Sequence, residues 1–336
     1  MSAPPVQYVT TCDGYSIAYT VSGRGHPFVV LPSWINHVQD VWTEGFSVAN
    51  LLKDAAERYQ VINYDSRGMG MSTRGLSEDF GFDSYVLDLE ALLERLKLKR
   101  FVLLGFASFA FLAVRYALQY PERVSALILI GPPQRWIPAT WEDLARKDWE
   151  GFLADHVSRS YSLQMARRVL EMFKRWATQD DYLISVRAWQ TASWEDCLST
   201  LQTPTIVLWS QGLRVDVESV TKFTRLLPNG QLVILDSGLP YGAPGEAIAA
   251  IEPFLQRSGV TTAGQLDSPP AADGLTAREV AVLRLIAAGK SNAQIAAELV
   301  ISPHTAIRHV SKIFAKTGVS NRAEAASYAH RHGLAS

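Results

Sequence analysis

Cysteine is nearly absent from this chain. Cys12 and Cys197 are its only two in 336 residues, and they form no metal-ligand or redox spacing. That excludes a disulfide framework and fits a reducing cytoplasm. Long unbroken apolar runs are also lacking. The nearest, Phe101 to Leu118, contains Gly105, Ser108 and Arg115, so a buried strand running into a buried helix explains it better than a membrane span. The first ten residues, MSAPPVQYVT, have neither the basic nor the apolar region of a signal peptide. An excess of one charge sign is missing too, since the formal net charge is −1. No internal repeat and no cofactor or metal motif is found, so neither cofactor nor metal is expected. What remains is a composition of 48% hydrophobic and 19% charged residues, that of a folded soluble protein, over a length that favours two domains.

The small net charge conceals an asymmetry. After Ala271 there are eight Lys or Arg and four Asp or Glu, which leaves 24 of the 32 basic and 29 of the 33 acidic residues before it. A mildly acidic body with a basic tail is the distribution expected when only the tail meets phosphates. Between them lies SGVTTAGQLDSPPAAD, rich in small and turn-forming residues and free of apolar period, which reads as a flexible linker. The organisation expected is therefore a body over 1–257, a linker over 258–273 and a tail over 274–336. In the body, the runs YSIAYTV, PFVVL, YQVINY, RFVLLG, VSALILIG, PTIVLW and QLVIL alternate with helical stretches such as Tyr85 to Leu96. Near-continuous apolar strands separated by helices predict an α/β fold with a mainly parallel sheet covered on both faces.

The tail reads as four helices. Thr276 and Glu279 have the spacing of a capping box ahead of the stripe Val280, Leu283, Ile286, and Gly289 ends that helix. Ser291 and Gln294 repeat the box for a short second helix. Ser302 as N-cap and Pro303 at the first helical position open a third, which runs to about Thr317 before Gly318. A fourth runs from Asn321 through His332. Two short helices joined by a tight turn, the second with polar and basic residues at its start, is a geometry that enters a DNA major groove. The exposed candidates are His304, Thr305, Arg308, His309 and Lys312, with Ile307, Val310 and Phe314 on the other sides. Arg308 and Thr305 are expected to read base edges, and Lys312, Lys316 and the Ser302 region to meet phosphate. Spacing alone leaves open a helical protein-interaction bundle with ordinary solvated charges.

The segment from Leu275 to Leu334 resembles the LuxR-type (GerE-like) helix-turn-helix over its whole length. It matches L-T-x-R-E, A-x-G-x-S-N-x-x-I-A, I-S-x-x-T, the R-H pair, K-x-G-V and R-x-x-A. It departs at Ala306-Ile307, where such proteins often have Val followed by a basic residue. The resemblance implies DNA binding as a homodimer on a roughly palindromic operator, with the fourth helix supplying dimer contacts and RNA polymerase a possible further partner.

Residues Val6 to about Arg257 resemble the α/β-hydrolase fold, most closely between Val61 and Gly131, where YDSRGMGMS is followed by FVLLGFASFAFLAVRYALQYPERVSALILIG. Active members carry a G-x-S-x-G elbow, then an acid, then a histidine. The elbow here reads Gly105-Phe106-Ala107-Ser108-Phe109, with Ala107 at the nucleophile position. A base is missing as well, because no histidine lies between His156 and His304, whereas an imidazole is needed after the last strand. The acid loop reads Ser210-Gln211-Gly212-Leu213-Arg214, with Asp216 nearby. Ser108 is expected to cap the following helix. His26 and His37 read as loop or surface histidines, and Asp65 and Arg67 as turn builders.

Between Pro132 and Leu201 an insertion of helical character holds six of the nine tryptophans, Trp136, Trp141, Trp149, Trp176, Trp189 and Trp194. The resemblance makes it a cap over the elbow, and an aromatic-lined pocket holds small apolar or aromatic ligands. Ser33, Trp34, Phe106, Ala107, Ser108, Trp136 and Leu239 are the candidate lining residues. Together these readings describe a sensor: a non-catalytic body that binds a small molecule and controls a DNA-binding tail. The alternatives are a DNA-binding protein that hydrolyses its inducer, and a body that serves only as a dimerisation scaffold.

Overall fold

The computed structural model describes residues 3–33, 35–43, 46–132, 139–161, 163–190, 197–213, 215–260, 275, 277–299 and 303–331. The chain divides into two compact units, Met1–Gly264 and Gln265–Ser336. The predicted linker falls almost entirely outside the described residues, as do Trp34, Trp136, Trp194, Arg214, Thr276 and Ser302.

The first unit is built on one eight-stranded sheet. Its strands are β1 (Gln7–Thr10), β2 (Ser16–Ser22), β3 (Pro27–Val30), β4 (Gln60–Tyr64), β5 (Phe101–Phe106), β6 (Val124–Ile130), β7 (Thr205–Trp209) and β8 (Gly230–Ile234), in the order β1-β2-β4-β3-β5-β6-β7-β8. From β4 to β8 all pairings are parallel, while β1 and β2 add antiparallel edge pairings. All seven predicted strands form. The sequence reading missed β1, because QYVT is largely exposed and carries no apolar run.

Strand alternation splits the core between two faces. Val29 and Leu103 join α2 (Asp83–Arg95) and α3 (Phe109–Gln119) on one side. Phe28, Val30, Val102 and Leu104 join α1 (Ser47–Ala56) and the helix Glu246–Arg257 on the other. Four further helices, α4 (Ala139–Lys147), α5 (Trp149–Ser160), α6 (Leu163–Trp176) and α7 (Gln179–Gln190), lie between β6 and β7. They share an apolar cluster with Ile35, Phe46 and Met69 of the sheet unit. α8 (Val217–Arg225) and α9 (Glu246–Arg257) complete the unit.

The second unit comprises α10 (Ala277–Ala287), α11 (Asn292–Glu298), α12 (Pro303–Thr317) and α13 (Arg322–Arg331) around Leu275, Val282, Leu283, Ile286, Ile295, Ile313 and Tyr328. The Ser291–Gln294 capping box forms with both of its hydrogen bonds. Gly289 and Gly318 close α10 and α12 at φ of 77° and 71°, the left-handed geometry that glycine adopts at helix ends.

Candidate functional site

The elbow is set by two adjacent residues at the end of β5. Ala107 has φ of 45°, one of two positive-φ non-glycine residues among those described, while Ser108 is right-handed helical at φ −59° and ψ −34°. The strained tip of the strand-turn-helix is therefore Ala107, with its N–H donating to Ile130 O at 2.9 Å. Gly105 is required beneath it, since a Cβ there would lie 2.7 Å from both Ala110 Cα and Phe109 O. Ser108 corrects an expectation. It occupies the N-cap position but makes no side-chain cap hydrogen bond. A capping side chain needs extended backbone to swing its oxygen onto the first turn, and here the chain has already turned at Ala107.

The loops after β7 and β8 are tied to each other. Ser210 Oγ donates to Leu239 O at 2.8 Å, and a Cβ on Gly212 would lie 2.1 Å from Gly238 O, so only glycine permits this approach. Asp216 is committed to α8 as its N-cap, accepting from Ser219 N and Oγ at 2.7 Å. The β8 loop is held from below by Glu246, whose carboxylate accepts from Ser237 N at 3.0 Å and Ala243 N at 2.7 Å. The nearby Ser237 side chain first, and then these backbone donors, hold the Glu246 carboxyl down at about 2.

Beneath the helices inserted between β6 and β7 lies a cavity of about 70 Å³. One water occupies roughly 10–15 Å³ on that scale, so the space suits a small organic molecule. Its wall includes Ser33 and Phe106 of the predicted set, joined by Asn36, Phe46, Tyr161, Phe173, Trp176 and Tyr241. Ala107 and Ser108 are not part of that wall. Leu239 is a correction: it is 44% exposed, and its carbonyl anchors the loop while the following turn brings Tyr241 inward instead. Tyr241 stacks on Phe106, with centroids 4.6 Å apart. Sequence spacing gave no signal for Tyr161 or Tyr241, since their arrival at one cavity depends on how two distant loops fold back.

Of the tryptophans described in the insertion, Trp176 lines the cavity, stacked on His37 with its Nε1 donating to Asp40 Oδ2 at 2.9 Å. Trp189 instead packs α7 against Phe82, Tyr85 and Phe109. His37 is half-buried with Asp40 3.5 Å away, and burial lowers its pKa. His26 meets Ser125 at 3.2 Å. Asp65 and Arg67 build the turn after β4. Asp65 accepts from Asn36 Nδ2 and Met71 N, yet burial pushes its carboxyl up to about 7. Arg67 is 2% exposed and ion-paired with buried Asp88 at 2.7 Å and with Asp13 at 2.5 Å.

In the second unit, helical phase decides which side chains α12 turns outward. Ala306, His309, Val310 and Ile313 are buried, the i, i+3, i+4, i+7 stripe of one helix face. Two expectations are thereby corrected. His309 is 5% exposed and faces the core, whereas Ile307 is 49% exposed and shares the outward side with Ser311. Thr305, Arg308 and Lys312 are half-buried at the flanks of that side. Lys316 is engaged elsewhere, with its Nζ 2.7 Å from Glu279 Oε2, a carboxylate only 3% exposed. His304 lies in α12, and its side chain is outside the described residues. Among the described residues no cluster of three His, Cys, Asp or Glu could hold a metal, and no helix is long and apolar enough to cross a membrane.

Comparison with known proteins bears on both units. A family model described as alpha/beta hydrolase fold matches residues 26–240, and one described as bacterial regulatory proteins, luxR family, matches 273–329. The chain is 30% identical over 142 residues to the AB hydrolase superfamily protein YclE of Bacillus subtilis, covering 42% of this chain and 46% of that one. It is 47% identical over 62 residues to the transcriptional regulatory protein LiaR of Bacillus subtilis, covering 18% and 29%. It thus spans less than half the length of either relative. Among solved structures, a thermophilic esterase from Thermogutta terrifontis superposes with TM-score 0.62 at 21% identity, covering 76% of this chain and 99% of the esterase. A bromoperoxidase from Bacillus anthracis superposes with TM-score 0.61 at 20% identity, covering 76% and 98%.

Proposed function

The chain belongs to the alpha/beta hydrolase fold family, and from that premise we propose that it is a ligand-responsive transcription regulator whose hydrolase-fold body senses and does not catalyse. Residues 1–257 form the sensing domain, 258–273 the linker and 274–336 the DNA-binding domain of a cytoplasmic homodimer. The observation that carries the reading is Ala107 at the strained tip of the elbow. A methyl group has no lone pair with which to attack a carbonyl, and the serine one residue on stands at the N-cap of α3 in right-handed helical backbone, past the turn. Supporting this, the loops that carry acid and base in active hydrolases hold Asp216 as a helix cap and Tyr241 stacked on Phe106.

The luxR-family match to the tail and its basic α12 support DNA as the partner. Arg308, Thr305 and Ile307 face base edges, Lys312 meets phosphate, and the helix start at Ser302 and His304 approaches the backbone. A roughly palindromic operator suits a two-fold protein, and RNA polymerase is a further partner of the bound dimer. A small molecule in the cavity switches this output only if it binds two arrangements of the protein unequally.

The test has two arms on the purified full chain. Selection from a random duplex library is expected to yield an enriched motif, and no motif would remove the DNA-binding reading. A fluorophosphonate probe is expected to leave the protein unlabelled. Labelling at Ser108, lost in Ser108→Ala, would show a nucleophile and refute the non-catalytic body.

A further inference from the structure

The cavity wall carries a combination that constrains what can occupy it. Among the described residues its wall holds no Asp, Glu, Lys, Arg or His. An ionised ligand would therefore leave water without a counter-charge, which is far costlier than burying a hydrogen-bonded neutral oxygen. Two phenols face this uncharged space from opposite parts of the fold. Tyr161 follows α5 of the inserted helices and stands edge-on to Phe46 and Phe173, at 5.5 Å and 6.2 Å. Tyr241 closes the loop after β8 on the Phe106 ring. Both residues are half-buried, and neither hydroxyl is bonded to another described residue. Burial raises the pKa of both phenols, and Tyr161 raises that of Tyr241 further, so both remain protonated donors at neutral pH. Hydrogen-bond donors that converge on an otherwise mostly apolar cavity mark where an acceptor binds.

We infer that the cavity takes a small neutral molecule bearing a carbonyl oxygen, a ketone, ester or lactone, whose oxygen accepts hydrogen bonds from Tyr161 and Tyr241 while its apolar part lies against Phe46, Phe173 and Trp176. This rests on the sensing role proposed above and assigns the chemistry of its ligand. Because one phenol belongs to the inserted helices and the other to the sheet unit, the ligand oxygen bridges the two, which gives binding a means of fixing one against the other.

Three probes of similar shape separate the possibilities: acetophenone, with a neutral carbonyl; benzoate, with a carboxylate; and ethylbenzene, with no acceptor. Binding to the full-length protein is followed by tryptophan fluorescence and by the shift in melting temperature. Acetophenone is expected to bind most tightly. Tyr161→Phe and Tyr241→Phe are each expected to weaken it by about tenfold or less, and the double variant by more, with ethylbenzene binding unchanged. Unliganded melting temperature and near-UV circular dichroism check that the variants fold. Acetophenone binding that survives in a folded double variant would refute the phenol contacts while leaving the pocket intact. Benzoate binding more tightly than acetophenone would refute the neutral-ligand assignment. Failure of all three probes to bind would overturn the sensing reading together with this one.

Discussion

Replacing Lys316 distinguishes a DNA contact from a structural one, because its ammonium lies 2.7 Å from a carboxylate that is almost wholly buried. Removing one partner of a fully buried pair costs roughly 3–5 kcal/mol, since the remaining charge is left desolvated. Lys316 itself is 38% exposed, so water screens the pair and the expected cost of Lys316→Met falls to about 1–3 kcal/mol. In a Glu279→Gln background the same substitution should cost little, because no buried charge is then stranded. Amide hydrogen exchange at Val282, Leu283 and Ile313, all in the core of the second unit, reads this local stability directly. The complementary measurement is the salt dependence of binding to a random-sequence duplex. A lysine that neutralises a phosphate contributes about 0.9 to the log–log slope, and Lys316→Met is expected to leave that slope unchanged. If the slope fell by about one while exchange protection stayed at the wild-type level, Lys316 would be a phosphate ligand and the pairing with Glu279 incidental.

Four other outcomes follow from the geometry. Arg308→Ala is expected to weaken binding to a selected operator by about 1–3 kcal/mol, and undiminished affinity would remove Arg308 from the reading set. Ile307→Ala should lose discrimination at a thymine, whose methyl is the apolar feature of the groove; an unaltered selected motif would argue against contact. Asp65 has a folded pKa of about 7, above that of an unfolded carboxyl near 4, so its protonation favours the fold. The stability it contributes is complete below about 4 and is lost as pH rises through 7. The melting temperature of Asp65→Asn minus that of wild type should therefore climb between those values, and a flat difference would refute the shift. Gly105→Ala should destabilise the body by more than about 1 kcal/mol, because backbone atoms 2.7 Å from the new Cβ must move; a melting temperature equal to wild type would contradict the close packing of β5 on α3.

Much of this protein is legible in its sequence, for reasons that are local. Strands β3 to β7 announced themselves as apolar runs because both faces of the parallel sheet are buried there, and the Ser291–Gln294 cap of α11 and the closing glycines of α10 and α12 follow from backbone groups that each helix end must satisfy. The alanine at the centre of the elbow was likewise written in GFASF. Tertiary structure decided what depends on direction and long-range approach. Ala107 rather than Ser108 forms the strained tip because only one residue can occupy the left-handed turn. His309 faces inward and Ile307 outward because the phase of α12 is set by the whole core it packs on, and Glu279 captures Lys316 across 37 residues of sequence. Tyr161 and Tyr241 reach one cavity from loops 80 residues apart, a meeting that no periodicity encodes and that the closure of the inserted helices over the sheet alone brings about.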